Sequence, residues 1–307
     1  MDKTIRLISR YDEAVELLPY HLRGQARLID EMDKANAEEF RLRIGHVPTV
    51  LLPEGERPIA RTPVTAKELT AVLEVASLAS IHTVRDSLKH GYITAKGGFR
   101  VGLCGQASVR DGDVTGFLHL GSVAIRITKE IRGVADAILP QIKERGVIKS
   151  TLVLSPPGGG KTTVLRDMIR QASDGGRRVC VADERGEIAA LKDGIPQMDV
   201  GSRTDVLAGC LKDRAVMMLL RTMNPEIIAM DEITAEEDTI ALARASSCGV
   251  TLFATVHGYD LDDLLKKPLY RAMLEQALFE RLVVISRGGS GRAYVVKEIG
   301  ADLCSGS

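Results

Sequence analysis

Between an apolar run, Thr151 to Leu154, and a stretch carrying Val164, Leu165, Met168, Ile169 and Ala172 at helical spacing lies Ser155-Pro156-Pro157-Gly158-Gly159-Gly160-Lys161-Thr162-Thr163. A strand that turns through three glycines directly into a helix commits this part of the chain to a strand-loop-helix unit, the building block of a parallel α/β sheet. Glycines let backbone N–H groups converge on phosphate oxygens, and the helix N-terminus adds partial positive charge. The pattern predicts a nucleotide phosphate site in which Ser155, Pro156, Pro157, Gly158, Gly159 and Gly160 form the cradle. Lys161 reaches the β- and γ-phosphates, Thr162 offers its hydroxyl to Mg²⁺, and Thr163 bonds phosphate or backbone. Serine stands at 155, where the general consensus has glycine.

A phosphate loop implies a second strand ending in acid, and Ile227-Ile228-Ala229-Met230-Asp231-Glu232 supplies it. Asp231 is expected to hold Mg²⁺ through water, while Glu232 polarises the attacking water, the step that separates ATP hydrolysis from ATP binding. Val179 to Ala182 form a further strand between loop and Walker B in the sequence, ending in Asp183-Glu184-Arg185-Gly186-Glu187. An extra strand, together with a glutamate after the Walker B aspartate, points to a RecA-like core. Strand ends on the loop side of a parallel sheet converge on the ligand, so Asp183, Glu184 and Glu187 are candidates to orient water or the metal's shell, the alternative being a solvated acidic loop. Thr255-Val256-His257-Gly258 closes another apolar strand, and His257 is a candidate there to sense the γ-phosphate, the alternative being a structural histidine. Arg126, Arg203, Arg221 and Arg281 are candidates to act on a neighbouring subunit's nucleotide, with surface ion pairs as the alternative role of each.

At 307 residues the chain suffices for two domains with their own cores, and the patterning divides it near residue 130 into 1–130 and 131–307. In the first part, Thr65-Ala66-Lys67-Glu68 is a capping box before an apolar face of Leu69, Val72, Leu73 and Ala76. Tyr92 to Ala95, Phe99 to Val109 and Ser122 to Thr128 then read as antiparallel strands separated by Lys96-Gly97-Gly98 and Asp111-Gly112-Asp113, giving a small α+β domain. Gly133 to Glu144 reads as a connecting helix. Beyond it strands and helices alternate, with Thr234-Ala235-Glu236-Glu237 as a second capping box and Gly249 as a helix end.

Lysine plus arginine equals aspartate plus glutamate at 41 each, which removes a global electrostatic drive toward nucleic acid, and the lack of tryptophan leaves few stacking platforms for single strands. Nucleic acid is therefore not an expected partner. No run approaches the ~18 apolar residues of a membrane span, and Met1 to Arg6 show no signal-peptide core, so a cytoplasmic location is expected. The five cysteines are scattered singly, without metal spacing.

Taken in order, these motifs resemble the stage III sporulation protein AA family, a relative of the type II and type IV secretion ATPases. The likeness rests on Ser155 to Thr163, Asp183 to Ile188, Pro196 to Gly201, Arg203 to Val206, Asp231-Glu232-Ile233 and Thr255 to Gly258, and upstream on Gly91 to Thr94 and Gly97 to Gly105. In that family a serine at the start of the loop is familiar. The resemblance implies that Asp183 to Glu187 occupy the position of the secretion-ATPase aspartate box, though in different wording, and His257 that of its histidine box. It further implies a homohexameric ring in the mother-cell cytoplasm, docked on integral membrane components of the channel between mother cell and forespore. The leading expectation is an ATPase motor using ATP and Mg²⁺. A RecA-like nucleic-acid motor and a nucleotide-gated assembly protein with little turnover are the alternatives.

Overall fold

The computed structural model describes residues 3–77, 91–110, 112–288 and 291–300. Asp111 and Cys304 lie outside them. The chain divides into two compact units, one of Met1–Glu130 with Leu191–Gln197, the other of Ile131–Ala190 with Met198–Ser307. The short 191–197 segment thus groups with the first unit, although it lies far along the sequence from it.

The first unit opens with helices α1 (Lys3–Val15), α2 (Tyr20–Arg27) and α3 (Glu31–Asn36), followed by strands β1 (Glu39–Arg43), β2 (Thr49–Leu52) and β3 (Gly55–Pro58). Helix α4 (Ala66–Ser77) and strands β4 (Tyr92–Thr94), β5 (Arg100–Arg110) and β6 (Asp113–Arg126) complete it. All pairings are antiparallel, in the order β3-β2-β1-β6-β5-β4. Alternation in β1 turns Phe40 and Leu42 inward, where they meet Tyr11, Leu18, Leu22, Leu69, Phe99 and Ile125 in one core. Half of the expected capping box forms: Glu68 accepts from the Thr65 N–H and hydroxyl, while the Glu68 N–H donates to the Thr65 carbonyl and not to its hydroxyl, and Leu69, Val72 and Ala76 are buried.

In the second unit, a two-stranded hairpin of β7 (Lys143–Glu144) and β8 (Val147–Ile148) precedes β9 (Thr151–Ser155), α5 (Lys161–Asp174), β10 (Val179–Asp183) and β11 (Thr204–Ala208). Then come α6 (Lys212–Thr222), β12 (Ile227–Met230), α7 (Glu236–Ser247), β13 (Thr251–His257), α8 (Leu261–Leu265), α9 (Pro268–Glu275), β14 (Arg281–Gly288) and β15 (Gly291–Glu298). Seven strands run in the order β11-β10-β12-β13-β9-β14-β15, parallel throughout except for β15. The inner strands β9, β10 and β12 are buried at every position, as apolar runs must be when helices cover both faces of a parallel sheet. On one face Leu152, Leu154, Ile228, Met230, Leu252 and Val256 pack with Val216 and Leu219 of α6, Leu242 of α7 and Met273 of α9. Burial there pushes the Cys180 thiol up to about 12, an inert core position.

Two further local expectations are corrected. Gly133 to Glu144 is not a helix but a series of turns to Ile142 that runs into strand β7, even though Ala135, Ile138, Leu139 and Ile142 are buried at helical spacing. Pro140 lacks the N–H that a helix would need at its centre, and Arg145 and Gly146, with φ of 49° and 81°, reverse the chain into the β7–β8 hairpin. At the start of α7 the reciprocal carboxylate is Asp238 rather than Glu237, its Oδ2 accepting from the N–H groups of Thr234 at 3.0 Å and Ala235 at 3.2 Å. The helix begins one residue later than the capping pattern implied, so the residue in position to reach back also moves by one.

Candidate active site

The parallel registers bring the ends of β9, β10, β12 and β13 to one edge of the sheet, and the motif residues are carried there. Between β9 and α5, Gly160 adopts φ of 98°, a left-handed conformation that favours glycine, and a Cβ on Gly159 would lie 2.2 Å from Ser155 Oγ. Ser155 is fully buried, and its hydroxyl donates to the Pro156 carbonyl at 2.9 Å. Its side chain therefore braces the loop from beneath, which a glycine could not do. The first-turn N–H groups of α5 have no acceptor within the helix, and no side chain caps them.

His257 links the loop to the Walker B strand. The buried Lys161 ammonium lies 2.7 Å from His257 Nδ1 and donates to the Ser155 carbonyl at 3.3 Å, while His257 Nε2 is 3.0 Å from Glu232 Oε1. An ammonium only donates, so Nδ1 accepts and Nε2 carries the proton directed at Glu232. Burial lowers the Lys161 pKa from its ordinary value, and the charges of Glu232 and Asp231 act against that shift.

Thr162 Oγ1 donates to Asp231 Oδ2 at 3.0 Å. The other oxygen, Asp231 Oδ1, accepts from Thr255 Oγ1 at 2.8 Å and from the Glu232 N–H at 3.0 Å. A hydroxyl beside a carboxylate is a hard-oxygen pair of the kind that suits Mg²⁺, with waters and phosphate oxygens completing the shell. Thr163 is partly exposed in the first turn of α5.

The strand lying between β9 and β12 is β13, which carries His257, whereas β10 is on the far side of β12. The consequence is direct: His257 sits between Lys161 and Glu232, and the acidic segment after β10 approaches Glu232 from the opposite side. Glu184 and Glu187 line a small cavity together with Asp183, Arg185, Lys212, Asp231, Glu232 and Thr234.

Asp183 organises this segment. It is buried, and its two oxygens accept from the N–H groups of Glu187 at 2.8 Å, Ile188 at 3.1 Å and Ala189 at 2.9 Å. Arg166 of α5 closes the loop from the other side, donating to the carbonyls of Ile188 and Glu187 at 2.6 Å each. Burial pushes the Asp183 carboxyl above its ordinary range, while the three donors favour its ionised form. Asp183→Ala is expected to destabilise this unit by about 2–4 kcal/mol, because it strands three donors at once. Asp183→Asn should fall between, since its amide can accept the first two N–H groups but not the third. Chemical denaturation of the three proteins checks the order, and an Asp183→Ala midpoint equal to wild type would refute it.

The candidate arginines are not gathered at this edge. Arg203 and Arg281 belong to the opposite end of the sheet: Arg203 precedes β11, and Arg281 is in register with Thr151 and ion-paired with Glu298 at 3.0 Å. Arg221 is in the last turn of α6, and Arg126 is on β6 of the first unit. Sequence reasoning missed three residues that do reach the site. Thr255 holds Asp231 and also accepts from the Glu232 N–H at 2.9 Å, and Lys212 lines the acidic cavity. Arg292, at the start of β15, lies beside the loop: a Cβ on Gly160 would come within 3.2 Å of its guanidinium. Thr255 stood two residues before His257, on the same face of its strand, a signal that was available; Arg292 and Lys212 offered none.

This sheet order, with loop and acidic strand separated by one further parallel strand, is that of a RecA-like core. The fold is shared with the Legionella pneumophila ATPase DotB, at a TM-score of 0.60 and 14% identity over 94% of this chain and 83% of that one. It is shared also with the pilus retraction motor PilT, solved with bound ADP, at a TM-score of 0.58 and 18% identity over 85% and 78% of the two chains. The chain belongs to the sporulation stage III protein AA family, whose match runs over residues 9–299. It is 36% identical over 281 residues to stage III sporulation protein AA of Bacillus subtilis (strain 168), covering 90% of this chain and 91% of that protein. Among the described residues no helix is long and apolar enough to cross a membrane.

Proposed function

We propose that the chain is a secretion-type motor ATPase that binds ATP with Mg²⁺ at Ser155 to Thr163 and hydrolyses it. The observation that carries this reading is the chain of contacts from Lys161 through His257 to Glu232, next to the Thr162–Asp231 pair. Lys161 has three N–H donors, of which two meet His257 and Ser155, so one stays available to phosphate. Glu232 accepts the proton of the attacking water, and His257 holds the carboxylate in place through Nε2. Thr162 and, through water, Asp231 would hold Mg²⁺, which would supply charge neutralisation at the phosphate oxygens. Glu184 and Glu187, on the cavity's other wall, orient water near Glu232.

The resemblance to secretion ATPases supports a homohexamer with nucleotide at subunit interfaces, in which hydrolysis moves the N-terminal domain, residues 1–130, against the ATPase domain, residues 131–307. Family membership supports work on the channel between mother cell and forespore, with the ring in the mother-cell cytoplasm on integral membrane partners. Phosphate release from Mg-ATP, measured across protein concentration, tests the motor: turnover per protomer should rise with concentration as rings assemble. Binding of ATP without release at any concentration would leave a nucleotide-gated assembly protein instead.

A further inference from the structure

Lys212 opens α6, is nine-tenths buried, and belongs to none of the motifs. Its ammonium donates to the Glu232 carbonyl at 2.6 Å and to Thr234 Oγ1 at 3.1 Å, and pairs with Asp238 Oδ2 at 3.0 Å. Glu184 Oε2 stands 4.0 Å away. One cation therefore grips the residue that ends the Walker B motif, the residue two further on, and the first turn of α7.

What it grips is unusual. Glu232 has φ of 29°, a left-handed backbone that is unfavourable for a side chain with a Cβ and survives only where its surroundings impose it. Had the strand continued extended past Asp231, the next side chain would point to the opposite face of the sheet. The left-handed turn instead lets both carboxylates serve one site, Asp231 meeting Thr162 and Glu232 meeting His257. The Glu232 N–H is fixed by Asp231 and Thr255, and its carbonyl by Lys212, so both peptide groups flanking the strained residue are held.

We propose that Lys212 is a positioning residue for ATP hydrolysis, holding Glu232 in the conformation that aims its carboxylate at the water. The proposal rests on the hydrolysis reading above. The competing role is a counter-ion for the buried Asp238, which is 3% exposed. A charge-balanced pair separates the two roles, because Lys212→Met with Asp238→Asn removes both charges while the asparagine Oδ1 still accepts from Thr234 and Ala235.

The test compares wild type, Lys212→Met, Lys212→Met/Asp238→Asn and Lys212→Arg by phosphate release, ATP titration and thermal melting, and repeats Lys212→Met in a Glu232→Gln background. The charge-balanced protein should melt like wild type and bind ATP equally well, yet turn over about a hundredfold more slowly, the size of loss that a misplaced catalytic group produces. Lys212→Arg should recover part of the rate. In the Glu232→Gln background Lys212→Met should cost nothing more, since the carboxylate it positions is gone. Full turnover in the charge-balanced protein would make Lys212 a counter-ion only and overturn the proposal, as would an undiminished further loss on top of Glu232→Gln. Wild-type turnover in Glu232→Gln alone would remove Glu232 as the base, and the positioning role with it, whereas no phosphate release from the wild type at any concentration would overturn the hydrolysis reading itself.

Discussion

Glu232→Gln is expected to slow phosphate release from ATP by about 10²–10⁴-fold, the range that a positioned general base contributes, while ATP still binds. The substitution is close to isosteric. The glutamine oxygen can still accept from His257 Nε2, which lies 3.0 Å from the carboxylate, and the backbone contacts to Thr255, Asp231 and Lys212 are untouched. What is lost is the ability to take a proton from water. Single-turnover phosphate release beside nucleotide titration separates the two effects. A variant that hydrolyses at the wild-type rate would remove Glu232 from the reaction and leave the acidic cavity, with Glu184 and Glu187, as the place to look for a base.

Lys161→Ala should act on both binding and turnover. Removing the cation takes away a charge-assisted contact to phosphate, expected to weaken ATP binding by about 10- to 100-fold, equivalent to about 1.5–3 kcal/mol. Because that contact strengthens as charge develops on the transferred group, turnover should fall further, by about 10²–10³-fold. His257 Nδ1 also loses the donor 2.7 Å away, so its tautomer is no longer set and its hold on Glu232 is relaxed. Lys161→Arg is the informative companion, since it keeps the charge but not the fit within a buried position. Fluorescent-nucleotide titration and phosphate release measure the two losses, and turnover within twofold of wild type in Lys161→Ala would reject the loop as the catalytic phosphate site.

Much of this site is legible in the chain because its parts are local. The loop needs a strand, three glycines and a helix start, all within consecutive residues, and Gly160 at φ of 98° shows why one of those glycines is required. The Walker B strand announces itself as four apolar residues followed by two acids, and the four-residue Thr255–Gly258 motif marks the end of β13. Local reading failed where a local pattern had two solutions. The spacing of Ala135, Ile138, Leu139 and Ile142 suits a helix, but Pro140 and the reversal at Arg145 and Gly146 prevent one.

By itself the sequence determined the α/β class, the residues that end each strand of the site, and the phosphate-loop conformation, since hydrophobic period and glycine stereochemistry act between near neighbours. Tertiary structure alone decided which strand lies between loop and Walker B, and so that His257 bridges Lys161 and Glu232. It also decided that Asp183 is tied up in backbone hydrogen bonds, that Lys212 grips the Glu232 carbonyl, and that residues 191–197 join the first unit. The physical reason is that sheet order is set by long-range packing, and a buried polar group takes whichever partner that packing brings within reach.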